Sequence, residues 1–173
     1  MEFLETLDRR RSVRAYRSVA PDRRKIEAIL GAMLLAPSAG DLQAFRVVVV
    51  EDPRTKSALA DAAHGQRFIA GASVVLVFFA DAERSAAKYA QRGRALFALQ
   101  DATLAAAYVQ LSAADMGLAS CWVGAFDDDA VIGAVDAPRG LRPIAIVPVG
   151  EPLEMPDRPP RRSRKELVVN ERF

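Results

Sequence analysis

Arg10-Arg11-Ser12-Val13-Arg14 places three guanidinium groups and a hydroxyl within five residues. A guanidinium is a rigid fork of hydrogen-bond donors that stays charged at physiological pH, so the set suits a compact anion such as a phosphate. A solvated basic turn has the same composition, and the pentapeptide alone leaves both readings open. Charge elsewhere adds a second basic group, Arg161, Arg162, Arg164 and Lys165. Residues 1–25 hold eight basic and four acidic side chains, residues 157–173 six and three, and residues 26–156 ten and fifteen. Two ends of +4 and +3 around a middle of −5 suit one anion held by both ends. The chain lacks the long basic stripe with interleaved aromatics that marks nucleic-acid binding, so no nucleic-acid partner is expected.

A second stretch with chemical potential is Pro37-Ser38-Ala39-Gly40-Asp41-Leu42-Gln43. Its small residues let backbone approach a flat ligand, and Asp41 and Gln43 offer hydrogen-bond partners. An ordinary helix-to-strand loop reads the same way. Other chemistries find little support. His64 is the only histidine and has no ligand cluster around it, so it is expected in solvent and no metal is expected. Cys121 is the only cysteine. It cannot pair within the chain and, beside Trp122 in an apolar stretch, is expected as buried packing. No Gly-x-Ser-x-Gly is present for a hydrolase triad, nor a Gly-x-Gly-x-x-Gly or phosphate-loop Lys-Ser/Thr after a strand. Asp127-Asp128-Asp129 reads as material for a helix start, where negative charge suits the dipole.

The elements that must position these residues alternate along the chain. With 173 residues, 51% hydrophobic and 27% charged, one globular domain is expected. The N-terminus has no secretory pattern, and the longest apolar run, Ser73 to Ala80, is far short of a bilayer span, so a cytoplasmic protein without a membrane segment is expected. Phe3, Leu4 and Leu7 define one face of a first helix that runs into the arginine cluster. Pro21-Asp22 opens a second helix carrying Ile26, Ile29, Leu30, Met33 and Leu34, which Pro37 stops at Ala36. Strands are expected at Phe45 to Val50, Ser73 to Ala80, Ala119 to Val123 and Leu141 to Val149, and a helix from Asp52-Pro53 to about Gly65. From Gly93 to Met116 runs the longest helix, with a stripe of Leu96, Leu99, Thr103, Ala107, Leu111 and Ala114 and further apolar residues beside it. A helix apolar on so many sides is central or shared with a second subunit.

Four motifs in order give the chain its resemblance to the FMN-dependent nitroreductase family, from Arg10 nearly to the C-terminus. They are Arg10 to Tyr16 (RRSVRAY), Ala36 to Gln43 (APSAGDLQ), Met116 to Phe126 (MGLASCWVGAF), and Pro159-Pro160-Arg161-Arg162 before Glu166-Leu167-Val168. The resemblance implies an α+β sandwich around a mostly antiparallel central sheet surrounded by helices, formed as an intertwined homodimer with two FMN sites at the interface. Residues 1–154 would then form the flavin-binding domain, and residues 155–173 an arm contributing to the phosphate site and the dimer. Arg10, Arg11, Ser12 and Arg14 match positions that hold the FMN phosphate and ribityl chain, joined by Arg161 and Arg162. Pro37, Ser38, Ala39, Gly40 and Asp41 match the loop donated by the partner subunit to the isoalloxazine ring, with Gln43 close behind. Gly124 and Ala125 match the segment whose backbone N–H approaches flavin N5 and O4, and Gln66 and Arg67 fall near a flavin-edge contact. Two departures stand out: Asp41 replaces the family's usual asparagine, and Ala44-Phe45 its frequent Pro-Trp.

The chemistry implied by the resemblance is ping-pong transfer of reducing equivalents from NADH or NADPH through FMN to a small-molecule acceptor such as a nitroaromatic or quinone. The flavin carries the reaction, Arg14 is the candidate to stabilise negative charge near its N1, and no side chain is needed as a catalytic acid or base. Flavin-dependent dehydrogenation, other reactions of the same fold, and a non-catalytic FMN-binding dimer are alternatives. The stretch Asp81 to Arg92, where larger members elaborate a lid, is short, which implies a more open pocket.

Overall fold

The computed structural model describes residues 2–20 and 22–172. In chain order it contains α1 (Phe3–Arg9), α2 (Arg23–Met33), β1 (Phe45–Val50), α3 (Pro53–Ala62), α4 (Phe68–Gly71), β2 (Val74–Asp81), α5 (Ala82–Arg92), α6 (Ala98–Asp115), β3 (Ala119–Ser120), α7 (Asp128–Ala134), β4 (Leu141–Gly150) and α8 (Arg164–Leu167). The four strands form one sheet in the order β1-β2-β4-β3, and every pair of neighbouring strands is antiparallel. This is the α+β sandwich the resemblance implies.

The central strand explains why its sequence is apolar without alternation. Val75, Val77 and Phe79 enter a core with Leu59, Ile69, Val131 and Ile146 on one face of the sheet. Val74, Leu76 and Phe78 enter a second core with Ile26, Ile29, Met33, Ala105, Val109 and Val147 on the other. Successive strand side chains point to opposite faces, and both faces are covered, so every position is apolar. The layers are therefore α3, α4 and α7, then the sheet, then α2 and α6.

Caps fix the helix starts. Pro21 lies outside the described residues, but Asp22 accepts the backbone N–H groups of Arg24 at 3.0 Å and Lys25 at 3.4 Å. Asp127 accepts the Ala130 N–H at 2.8 Å, and Asp128 and Asp129 occupy the first turn of α7. Each satisfies donors that a helix start leaves open.

Several expectations are corrected. The helix expected to reach Ala36 ends at Met33, and residues 34–36 make a turn. The strand expected at 119–123 ends at Ser120, with Val123 making a separate bridge to Ile146. The stretch 81–92 is not merely short: it carries the eleven-residue helix α5, followed by a π-helical turn, Gly93–Phe97, that replaces the expected start of the long helix. The long helix also turns a different side inward. It buries Ala98, Ala102, Ala105, Ala106, Val109 and Ala113, whereas Leu99, Thr103, Leu104, Ala107 and Leu111 remain partly or fully accessible. Alanine lets the helix axis approach the sheet closely, and the bulkier leucines take the outer side. The α1 face behaves alike. Thr6 is its buried residue, while Leu4 is 76% exposed and Phe3 and Leu7 are also exposed.

Candidate functional site

The arginine segment is held by backbone pairing at a sheet edge. Ser12 bridges Ser120 of β3, the Val13 N–H donates to the Ser120 carbonyl at 3.1 Å, and the Arg17 N–H donates to the Glu151 carbonyl at 2.9 Å. Extended backbone alternates its side chains. Val13 is therefore fully buried while Ser12 and Arg14 on either side face outward. Tyr16 anchors the far end: its hydroxyl donates to the Val13 carbonyl at 2.8 Å, with the Pro148 carbonyl at 3.3 Å. Burial pushes the Tyr16 phenol above its ordinary pKa, so it remains a donor.

Arg10, Arg11, Ser12 and Arg14 line one side of a cavity of about 330 Å³, and the C-terminal arm lines the other through Pro156, Asp157, Arg158, Pro159 and Arg161. The two basic ends of the chain do meet. Among the described residues, no carboxylate lies within ion-pair distance of Arg10, Arg14 or Arg161, although Asp157 sits in the lining. Arg10 shows the consequence: its pKa is lowered, first by burial and then by the charges of Arg161 and Arg11. Like charges converging in a half-buried cavity are electrostatically unfavourable unless an anion fills it. The residues present therefore fit a phosphate group.

Arg162 takes a different position from Arg161. It turns toward α8, with its Nε 3.6 Å from the Glu166 carboxylate and its Nη2 donating to the Glu166 carbonyl at 3.2 Å. Arg158, not singled out from the sequence, enters the cavity lining and is fixed by Asp8 at 2.6 Å. A guanidinium in a proline-rich arm has no spacing pattern that would have marked it.

Arg14 links this cavity to Phe68. The Arg14 guanidinium lies 5.9 Å from the centroid of the Phe68 ring. Two residues before Phe68, the Gln66 amide donates to the Ala63 carbonyl at 3.0 Å and to the Ala125 carbonyl at 3.3 Å. Gln66 is thus brought beside the exposed Gly124-Ala125 backbone. Arg67 points away and pairs with Asp61 at 2.7 Å. His64 is exposed. Cys121 is buried beneath the arginines, and burial raises its thiol pKa despite the nearby charges of Arg14 and Arg10. It acts as packing, as expected.

The Pro37–Gln43 loop lies elsewhere. It folds through a 3-10 turn, Ala39–Asp41, and Gly40, Asp41 and Gln43 all have positive φ, 57°, 60° and 46°. Glycine adopts this region freely and Asp tolerates it better than most residues, so the Asp41 departure keeps the backbone requirement. The Ser38 hydroxyl accepts the Gln43 N–H at 2.9 Å, and the Gln43 amide donates back to the Leu34 carbonyl at 3.0 Å.

The loop is pinned by Asp101, a buried carboxylate of α6 absent from the sequence-based set. Its oxygens accept the Ala39 N–H at 2.9 Å and the Ala44 N–H at 3.1 Å. Proline at 44 would have no N–H to give, so Ala44 makes this clamp possible. An acid on the alanine face of a core-facing helix was the available signal. Asp101→Asn keeps one acceptor oxygen and turns its amide toward an N–H donor. It is expected to cost about 1–3 kcal/mol, seen as a lower midpoint in chemical denaturation.

The two halves are thus separated within one chain. The loop binds α6 at Asp101, and the hydrophobic pocket beside Arg10 reaches α6 at Ala114. The thirteen residue steps of helix from Asp101 to Ala114 span about 20 Å.

The chain matches the Nitroreductase family over residues 7–67 and 64–151. It is 33% identical to the NADH dehydrogenase of Thermus thermophilus in an alignment covering 84% of both chains. It is 25% identical to the FMN reductase (NADPH) of Bacillus subtilis, over 97% of this chain and 72% of that one. Its fold superposes with a TM-score of 0.90 on the NADPH:FMN oxidoreductase of Vibrio harveyi complexed with NAD+, at 25% identity, covering 99% of this chain and 77% of the other. With its four motifs in order and a family match over most of its length, the chain belongs to the nitroreductase family.

Proposed function

We propose that this chain is an FMN-dependent NAD(P)H oxidoreductase that works as a cytoplasmic homodimer and reduces a small acceptor such as a quinone or nitroaromatic. The observation that carries the reading is the cavity where Arg10, Arg14 and Arg161 converge without a neutralising carboxylate. The similar proteins named as FMN reductase and NADPH:FMN oxidoreductase identify the class of anion. When bound, FMN supplies the redox chemistry, accepting hydride from the nicotinamide donor and passing reducing equivalents onward.

The protein's share is binding and orientation. Arg10, Arg11, Ser12 and Arg161 hold the phosphate from the two chain ends, so the arm of residues 155–173 belongs to the site. Arg14, beside Phe68, is the cation available for negative charge on the ring. Gln66 supports the Gly124-Ala125 backbone at the ring's edge. Pro37 to Gln43 come from the second subunit. The separation along α6 supports that assignment, because antiparallel packing of two α6 helices brings the loop of each chain to the arginines of the other. The outward leucines of α6 and the exposed apolar faces of α1 and the arm provide the surface that such a partner covers.

A reconstitution experiment tests the reading. Protein freed of flavin and titrated with FMN is expected to bind one FMN per chain and then oxidise NADH or NADPH with a quinone as acceptor. Absence of both FMN binding and donor oxidation would refute it.

A further inference from the structure

Helix α5 carries cations that the proposed site does not use. Arg84, Lys88 and Arg92 recur every four residues on it, and all three are exposed. Among the described residues none of them has a carboxylate at ion-pair distance: Glu83 pairs with Arg94 and Asp81 with Arg46, and Asp41 pairs with neither Lys88 nor Arg84. Lys88 and Arg92 are arranged on aromatic rings instead. The Lys88 ammonium lies 5.4 Å from the Tyr89 ring centroid, the Arg92 guanidinium 5.4 Å from that of Phe97, and the two rings meet edge to face at 5.1 Å.

The cluster touches the Pro37–Gln43 loop. A Cβ at Gly40 would lie 2.3 Å from the Tyr89 hydroxyl and 2.6 Å from Lys88 Nζ, so both side-chain tips rest on that backbone. Arg84 donates from Nε to the Leu42 carbonyl. Ala90, with φ 47° and ψ −134°, breaks the helix immediately after Tyr89, and the turn brings Phe97 back against it. The result is a rim of unneutralised positive charge over two aromatic rings, beside the loop that borders the flavin.

We propose that Lys88, with Arg92 and Arg84, binds the 2′-phosphate of NADPH and makes NADPH the preferred donor over NADH. The inference rests on the proposed function, which places this loop at the flavin of the opposite subunit. A phosphate monoester carries about −1.5 to −2 charges at neutral pH, which two or three unpaired cations match. NADH lacks that group, whereas both donors carry the pyrophosphate. A rim that read the pyrophosphate would therefore not distinguish them.

The test uses the FMN-loaded protein and its Lys88→Gln and Arg92→Gln variants, with Lys88→Arg as the conservative control. Binding of adenosine 2′,5′-bisphosphate and of 5′-AMP to the oxidised protein is measured by calorimetry, and kcat/KM is measured for both donors. The native protein is expected to bind the bisphosphate at least about tenfold more tightly than AMP, with the gap narrowing as salt rises. Lys88→Gln should cut the NADPH to NADH ratio of kcat/KM about tenfold, and Lys88→Arg should restore most of it. Equal binding of the two nucleotides by native protein, or equal losses for both donors in Lys88→Gln, would overturn the inference while leaving the reductase reading intact. Preference for the bisphosphate without oxidation of either donor would keep the phosphate site and refute the reductase reading.

Discussion

Replacing Arg10 or Arg14 with alanine is expected to release FMN from a protein that stays folded. Neither guanidinium contributes to the core: Val13 and Tyr16 carry the packing of this segment, and its backbone is secured by Ser120 and Glu151. Arg10 in fact sits in a position made unfavourable by burial and by Arg161 and Arg11, so its removal relieves repulsion when the cavity holds no anion. A charge-assisted hydrogen bond, from Arg10 to the phosphate or from Arg14 to the ring, is worth roughly 1.5–3 kcal/mol, so each substitution should weaken FMN binding by about 10- to 150-fold. Fluorescence titration with FMN reads the affinity, and the thermal midpoint without flavin should be unchanged or slightly raised. Equal loss of fold and flavin would assign the arginines a structural role.

A second large effect is expected far from the arginines. Leu104 and Leu111 lie on the outward side of α6, with Leu104 38% exposed in a single chain and Leu111 bordering a groove with Phe3 and Tyr108. Changing both to arginine places two charges where the proposed partner helix packs, and desolvating an unpaired charge is strongly unfavourable. Sedimentation should show a monomer. That monomer should also fail to retain FMN although every residue of the arginine cavity is unchanged, because the Pro37–Gln43 loop now has no second chain to serve. A monomer with native FMN affinity would show that one chain holds a whole site.

Much of the fold was legible because its strands are unambiguous. The run from Val74 to Ala80 has no position that solvent could take, and the helices on either side follow from its two covered faces. The face of α6 was not legible in the same way. The periodic stripe ran through Leu96, Leu99, Thr103, Ala107, Leu111 and Ala114, but the sheet is met by Ala98, Ala102, Ala105 and Ala106, whose small side chains allow close approach. Helix α5 was missed as a helix because Ala82 to Arg92 offers charge and alanine rather than an apolar stripe. Within the site, charge at the two chain ends pointed to one anion held by both; Arg10 to Arg14 and Arg161 line one cavity, while Arg162 turns to Glu166. Asp101 and Arg158 escaped notice for a common reason. Each works through a tertiary contact, with the loop N–H groups and with Asp8, that leaves no periodic trace in the sequence.

The most direct test is the visible spectrum of the FMN-reconstituted protein under anaerobic conditions, before and after one equivalent of NADPH. The expected result is a bound-flavin band distinct from free FMN that collapses on mixing and returns when a quinone is added. A band that persists with both NADPH and NADH would contradict the account.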